Sequence, residues 1–414
     1  MLSKTLKSIL YKFLKLTYKF FIYLLTPWHL FSVLMFFISN KKLLNNNVIF
    51  PFFTWSFGHQ IIAYDIASRI YYPKKISLIE INHPRNNEYL SECYDNLEKY
   101  KFDSIFFPKK HHSKIAKSYY LSLIYLILNF INFFKLKKYI LLEHLKLYEI
   151  KRLNKIPLNQ YDDFSDKIVD YNSLTAFTNI IRSNIGKKPE LPIKYRTQIL
   201  QKLNKVHKNF SKNKTYTILL RRNRSDEYYD KIRDGGNERK YIKLINKLKK
   251  NKSNIVLTGD FSQRFINKNK CIDLKDKKLF GDIPFKVLNL YFLLYSDYLI
   301  TQHSGASCLT NSYGKTTTII VDSFPFYLGT HCSKDRILMK NVIYKKKLLS
   351  LKDIYEKQNH RLLRLGKVER EKGYLLKENT DKQIYNAVFK SKFLKTKFDN
   401  DLMIHYTKTK VLDL

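Results

Sequence analysis

The sequence predicts an α/β protein of two domains, each built on a parallel sheet, behind a hydrophobic N-terminal segment. Short β-branched and aromatic runs alternate with helix-period stretches along much of the chain, the pattern of strand–helix–strand units and so of parallel strands. A polar Lys- and Asn-rich stretch at 204–214 divides that alternation into two series. The chain has 414 residues, 44% hydrophobic and 15% aromatic, enough for two cores.

Residues 1–45 form the N-terminal segment. At 100° per residue, Lys4, Lys7, Lys12, Lys15 and Lys19 share a helical arc of about 140°, and Leu2, Leu6, Ile9, Leu10, Phe13 and Leu14 lie largely elsewhere. Residues 20–39 (FFIYLLTPWHLFSVLMFFIS) carry no formal charge, although Pro27 and His29 interrupt the middle. Lys41 and Lys42 make the far flank basic too, which favours keeping both ends cytoplasmic. The expectation is a membrane-associating helical segment, in-plane or re-entrant, at the cytoplasmic face of the cell membrane; a single span is the alternative. No small-residue cleavage site follows, so the segment is expected to be retained.

Residues 46–208 form the first domain. Val48 to Phe53, Ile76 to Ile81 and Ser104 to Phe107 read as strands, with a helix from about Gln60 to Tyr71 between the first two. The uncharged run 118–134, flanked by Lys114, Lys117, Lys135, Lys137 and Lys138, reads as a hydrophobic helical insertion near 118–145. It is short for a span, and Asn129 and Asn132 share one helical face, which suits a packed or interfacial helix. In the second domain, 209–345, strands are expected at Thr215 to Leu220, Asn254 to Thr258, Asp297 to Thr301 and Thr316 to Val321. Helices are expected at Glu238 to Lys250, Pro284 to Ser296 and Ala306 to Tyr313. Two Rossmann-like domains follow. Residues 346–414 read as a charged, helix-leaning tail.

The net charge is +41. Part of it is the compositional background of a Lys-, Asn- and Ile-rich chain; the rest suits an anionic partner. No zinc-finger spacing, basic heptad or aromatic RNA-binding signature accompanies it, so a specific nucleic-acid partner is not expected, and an anionic membrane surface has the better local support. Eleven glycines and ten prolines exclude collagen-like and linker-like chains, and the four cysteines are too scattered for a disulfide framework or a zinc knuckle.

Glycine placement points to the ligand edge. Gly58, Gly259 and Gly305 each lie near the carboxyl end of an expected strand, where open α/β sheets bind ligands. In Tyr298 to Ser307 a strand ends and a helix begins, with Ser304 placed as N-cap. His303, Ser304, Gly305, Ala306 and Ser307 there suit a diphosphate held at a helix N-terminus. Arg221 and Arg222 emerge from the strand before them, and bidentate guanidinium donors suit a diphosphate leaving with negative charge. Other apparent motifs fail: Gly314-Lys315-Thr316 lacks the earlier glycine of a P-loop and precedes a strand, and Asp399-Asn400-Asp401 lies in the tail.

Leu219-Leu220-Arg221-Arg222 resembles the His-x-Arg-Arg strand end of the fucosyltransferase-like glycosyltransferases. Val256 to Asp260 resembles their following strand, and Ser296-Asp297-Tyr298 through Ser304-Gly305-Ala306 and Tyr313-Gly314 resembles their later Ser-Gly segment. Gly58-His59 matches an early turn in an uncharacterised bacterial family of GT-B transferases. The resemblance covers residues 48–95 and 215–330, and departs at Leu219, where some relatives have His. It implies a GT-B architecture and inverting, metal-independent transfer from a nucleotide sugar, a GDP-sugar among the options. The acceptor would be lipid-linked or a cell-surface polysaccharide, and no cofactor or metal is required. Arg222, with Arg221, would stabilise the departing diphosphate; Gly259, Asp260 and His303 to Ser307 would line the donor. His59 is the candidate base, with Asp65 and Glu80 as alternatives. Two other readings stand beside this one: a non-catalytic basic membrane or nucleic-acid-binding protein on a degenerate transferase fold, and a pyruvyl transferase-like enzyme.

Overall fold

The computed structural model describes residues 27–52 (except 29 and 47), 57–81, 87–102, 186–222 (except 208), 234–323 (except 303), 335–349 and 373–389. It also describes residues 127, 130, 138–139, 181, 184 and 410–411. Strands β1 (Val48–Phe52), β2 (Ile76–Ile81), β3 (Leu97–Phe102) and β4 (Lys138–Tyr139) form a parallel sheet in the order β3-β2-β1-β4. Helix α1 (Phe57–Tyr71) connects β1 to β2. All of β2 is buried, as its near-continuous apolar run requires of a central parallel strand.

Helix α2 (Ile193–Val206) leads into the second series: β5 (Thr215–Leu220), α3 (Ile242–Lys250), β6 (Asn254–Gly259), α4 (Gln263–Lys268), β7 (Ile272–Asp273), α5 (Phe285–Tyr295), β8 (Tyr298–Thr301), α6 (Gly305–Tyr313), β9 (Thr317–Ser323) and β10 (Arg336–Met339). Three strands, β11 (Asn341–Tyr344), β12 (Lys347–Leu348) and β13 (Tyr374–Lys377), form an antiparallel sheet; α7 (Asp381–Phe389) and β14 (Lys410–Val411) follow. The large sheet runs β14-β10-β9-β8-β5-β6-β7, every pairing parallel. Counting from β5, six of these strands stand in the order 3-2-1-4-5-6 of a doubly wound fold, which reverses direction between β5 and β8.

Local sequence explains the helices. In α3, Leu244, Ile245 and Leu248 are buried while lysines fill the outer face. In α5 nearly every position from Val287 to Leu294 is buried, because this uncharged stretch lies within the core that joins the two sheets. That core runs from Phe50, Ile61 and Leu78 through Leu203 and Leu290 to Leu309, and a second core fills the other face of the large sheet around Ile218, Leu244 and Val321.

Helices α1 and α6 join the two parallel-sheet units directly. Arg69 Nε lies 2.9 Å from Asp65 Oδ1, Arg69 Nη2 donates to the Ser312 carbonyl at 2.5 Å, and the Ser312 hydroxyl donates to Asp65. Asp65 is completely buried, which pushes its carboxyl above the ordinary range against the pull of Arg69.

Several expectations change. Strand β3, Leu97–Phe102, is not among the expected strands, because Glu98, Lys99 and Lys101 leave no apolar run at this sheet edge; the strand expected at 104–107 lies outside the described residues. Within 346–414, expected as a helix-leaning tail, β12, β13 and β14 are strands, and β14 extends the large sheet beside β10. Gly314 is the left-handed C-cap of α6 (φ 76°), which settles it as a helix stop. Most of the insertion near 118–145, residues 1–26 and Asp399 to Asp401 lie outside the described residues. Residues 27–39, apart from 29, are helical, and among the described residues no helix is long and apolar enough to cross a membrane.

Candidate functional site

The carboxyl ends of β5 and β8 lie side by side at the point where strand order reverses, the crevice that open parallel sheets offer to ligands. Both predicted segments open onto it. The Arg221 N–H donates to Gln302 Oε1 at 2.7 Å, and the wholly buried Gln302 donates through Nε2 to the Tyr241 hydroxyl at 2.7 Å. Arg222 N–H donates to Asp260 Oδ2 at 2.9 Å, and Asp260 N–H donates to the Leu220 carbonyl at 2.8 Å. The Arg222 guanidinium lies 3.0 Å from Glu238 Oε2 and its side chain is 44% exposed. Glu238 is itself held by the Ser262 hydroxyl at 2.6 Å and the Ser262 N–H at 2.8 Å. The Arg222 cation thus stands past the carboxyl end of β5, braced by an anchored carboxylate.

The other predicted residues divide. Asp260 braces the arginine loop through backbone bonds, so its carboxylate has a positioning role in addition to any contact with a donor. Gly259 (φ 85°) is required because a Cβ would overlap the Leu220 carbonyl oxygen; its small size serves the close β5–β6 approach. Ser304 occupies the N-cap of α6, but its hydroxyl pairs with Thr301 Oγ1 at 3.0 Å and makes no cap bond. The Ser307 hydroxyl donates back to the Ser304 carbonyl at 2.8 Å, and Ala306 is buried in the core, so both side chains serve the helix. Gly305 is the first residue of α6, and a Cβ there would overlap the Gly58 backbone nitrogen and Cα. The first turns of α6 and α1 therefore meet. His59 lies in that first turn of α1, and His303 lies outside the described residues.

Asp65 and Glu80, the alternative bases, are occupied elsewhere. Asp65 belongs to the α1–α6 contact. Glu80 is buried, accepts from the Tyr64 hydroxyl at 2.8 Å and Gln60 Nε2 at 3.0 Å, and lies 3.4 Å from Lys99 Nζ.

Sequence reasoning missed the charged cluster at the carboxyl ends of β9 and β10. Lys240 Nζ is 2.5 Å from Asp322 Oδ2 and 3.3 Å from Glu378 Oε2, and Lys340 Nζ donates to the Asp234 carbonyl at 3.1 Å. Burial pushes Lys340 below the ordinary lysine range and Asp322 above the ordinary carboxylate range. Asp322 and Asn379 exchange backbone-to-side-chain bonds of 2.7 and 2.6 Å, tying the 373–380 segment to the end of β9. Gln302 and Glu238 were missed as well; a polar residue directly after the buried Leu299-Ile300-Thr301 run was the available signal for Gln302. Among the described residues no group of three or more His, Cys, Asp or Glu side chains could hold a metal ion.

Fold and edge together define a doubly wound α/β protein with a crevice suited to an anion. No protein-family model matches the sequence, and no curated protein matches it either. Among solved structures the chain is similar to the glycosyl transferase family 9 protein from Veillonella parvula DSM 2008, with 13% identity and a TM-score of 0.48 over 83% of this chain and 96% of that one. It is also similar to E. coli heptosyltransferase WaaC with ADP-2-deoxy-2-fluoro heptose, at 10% identity and a TM-score of 0.35 over 77% and 99% of the two chains. A third similarity is to the wall teichoic acid polymerase TagF, at 13% identity and a TM-score of 0.27 over 71% and 75%.

Proposed function

We propose that the chain is a glycosyltransferase that binds a nucleotide-sugar donor in the β5–β8 crevice and passes the sugar to a lipid-linked or polysaccharide acceptor on the first domain. The observation that carries this reading is the meeting of two helix N-termini, α6 at Gly305 and α1 at Gly58, in the segment that follows β8, where Gln302 holds the Arg221 N–H. Two positive dipole ends brought together repel unless an anion lies near them, and a diphosphate supplies that charge. The fucosyltransferase-like strand ends and the Ser-Gly segment agree with this assignment, and a GDP-sugar is the first donor to test.

The chemistry follows from the charges. The acceptor oxygen forms its bond to the anomeric carbon as the bond from that carbon to the β-phosphate oxygen breaks, inverting the centre; the acceptor proton passes to His59, and the nucleotide diphosphate leaves. Arg222 and Arg221 stabilise the charge that gathers on the leaving group, a role a metal fills elsewhere. Each guanidinium carries five N–H donors, so the Arg222–Glu238 pair leaves geometry for a second anion.

A thermal-shift panel of nucleotide sugars, followed by calorimetric titration, tests the reading. One donor class should stabilise the protein, and Arg222→Ala should weaken it by roughly tenfold to a hundredfold, the worth of one charge-assisted contact, with the unliganded melting temperature unchanged. Undiminished binding in that variant would remove Arg222 from the site. Protection by no nucleotide sugar at all would remove the donor assignment.

A further inference from the structure

We infer that the helix over residues 27–39 seats its outer face in an anionic lipid bilayer. Trp28, Leu30, Phe31, Leu34, Met35 and Ile38 are each between 40% and 55% exposed, whereas Val33 and Phe37, which flank that set on one side of the helix, are buried at 0% and 4%. At 100° per residue the exposed set, with Pro27, spans about 160°. A helix on a water-soluble surface turns polar residues outward; here no charged residue stands anywhere on that arc, and its side chains are large and apolar.

The helix is fixed to the first domain by aromatic packing. The Phe36 ring lies 5.2 Å from Phe102 and Phe37 stacks at 4.8 Å on Phe130. Asn40 Nδ2 closes the last turn on the Phe36 carbonyl at 2.8 Å, and Leu43, beyond it, is buried with its carbonyl accepting from the Ser77 hydroxyl at 2.6 Å. The outer face is thus presented by an ordered element and is not a fraying end.

Charge complementarity selects the occupant. Lys41 and Lys42, both exposed, follow the helix directly, the sequence before it carries Lys4, Lys7, Lys12, Lys15 and Lys19 with no acidic residue, and the chain as a whole is +41. An apolar strip bordered by lysines fits an acyl layer beneath anionic headgroups. A second copy of this chain would bring the same positive border against itself.

The helix also has a defined position relative to the crevice. Phe102, on which Phe36 packs, ends β3 at the carboxyl edge of its sheet, so the last turns of the helix lie beside that edge. The carboxyl end of β1, which leads into α1 and His59, stands at that same edge, so a bilayer on the outer face of the helix lies beside it. That consequence, a lipid-anchored acceptor entering from the bilayer, rests on the glycosyl-transfer reading; the docking face does not.

Flotation of the full-length chain tests the face without any donor. The probes are vesicles of phosphatidylcholine alone and of phosphatidylcholine with about one-third phosphatidylglycerol. The protein should float with the anionic vesicles. Phe31→Glu/Leu34→Glu/Ile38→Glu should lower partitioning at least about tenfold at an unchanged melting temperature. Lys41→Glu/Lys42→Glu should lower it roughly tenfold for the anionic vesicles only. If the triple variant fails to fold, Trp55→Phe leaves Trp28 as the sole indole, whose emission should shift to the blue and be quenched by acyl-brominated lipid. Absence of flotation, binding undiminished in a folded triple variant, or an unquenched Trp28 overturns the inference. So does concentration-dependent self-association that the triple variant abolishes in the absence of vesicle binding.

Discussion

Gly305 serves two purposes at once. It opens α6 at the crevice, and its missing side chain admits the Gly58 backbone, so the two parallel-sheet units touch where the ligand edge begins. Gly305→Ala must push α6 from α1, and chemical denaturation should show a loss of about 2–4 kcal/mol, the range of a core steric clash; a variant as stable as its parent would mean the contact is loose. A second residue-scale expectation concerns Asp260, whose carboxylate accepts the Arg222 N–H. Asp260→Asn exchanges a charged acceptor for a neutral one, and donor affinity should fall about tenfold through misplacement of Arg222; affinity equal to the parent's would separate the two residues. The arginines were legible because arginine is scarce in a lysine-rich chain and two stood together at a strand end. The reasons for Gly259 and Asp260 were not, because their partners are the Leu220 carbonyl and the Arg222 N–H, backbone atoms that leave no mark in a sequence.

The α1–α6 pair is one place where elements from the two halves exchange buried polar contacts. Asp65, Arg69 and Ser312 are all buried there, and one carboxylate oxygen of Asp65 has no hydrogen-bond partner. Asp65→Leu leaves Arg69 buried without its carboxylate and should cost about 3–5 kcal/mol; adding Arg69→Met should recover most of that loss. Urea melts of the two single variants and the double variant measure the coupling, and strict additivity would contradict it. The pH dependence has a definite sign. Because burial raises the Asp65 carboxyl above its unfolded value near 3.8, its contribution is complete below that value and is lost as pH rises through the folded one. Asp65→Asn, which cannot titrate, should gain on the parent as pH is raised from about 4 to 7; a constant difference would place the ordinary carboxylate in the interface. Elements with apolar runs, such as β1, β2, β5, β6 and α5, were legible from their pattern. Strand β3 carries Glu98, Lys99 and Lys101 among its six residues at a sheet edge, and β14 is two residues long inside a basic stretch, so neither offered a run to read.

At the scale of the whole molecule, strand order matters most and was least legible. The alternation of strand and helix predicts parallel sheets, but nothing in it places β8 beside β5, and that adjacency is what brings Arg221 and Gln302 within 2.7 Å of one another. The sequence likewise divides the chain into two series, whereas the larger core is continuous through both, from Phe50 and Ile61 to Leu290 and Leu309. Such continuity has a thermodynamic consequence. If neither half keeps its apolar face covered without the other, unfolding one exposes the other, and the two should melt as one unit. Differential scanning calorimetry should then give a single transition whose van't Hoff and calorimetric enthalpies agree. A donor held at about a hundred times its Kd should raise stability by roughly 2.7 kcal/mol and move that whole transition, although the diphosphate site proposed for it lies mainly on the second half. Two resolved transitions, of which the donor moves one, would mean that the shared core contributes little to cooperativity and that the halves are free to close around a donor.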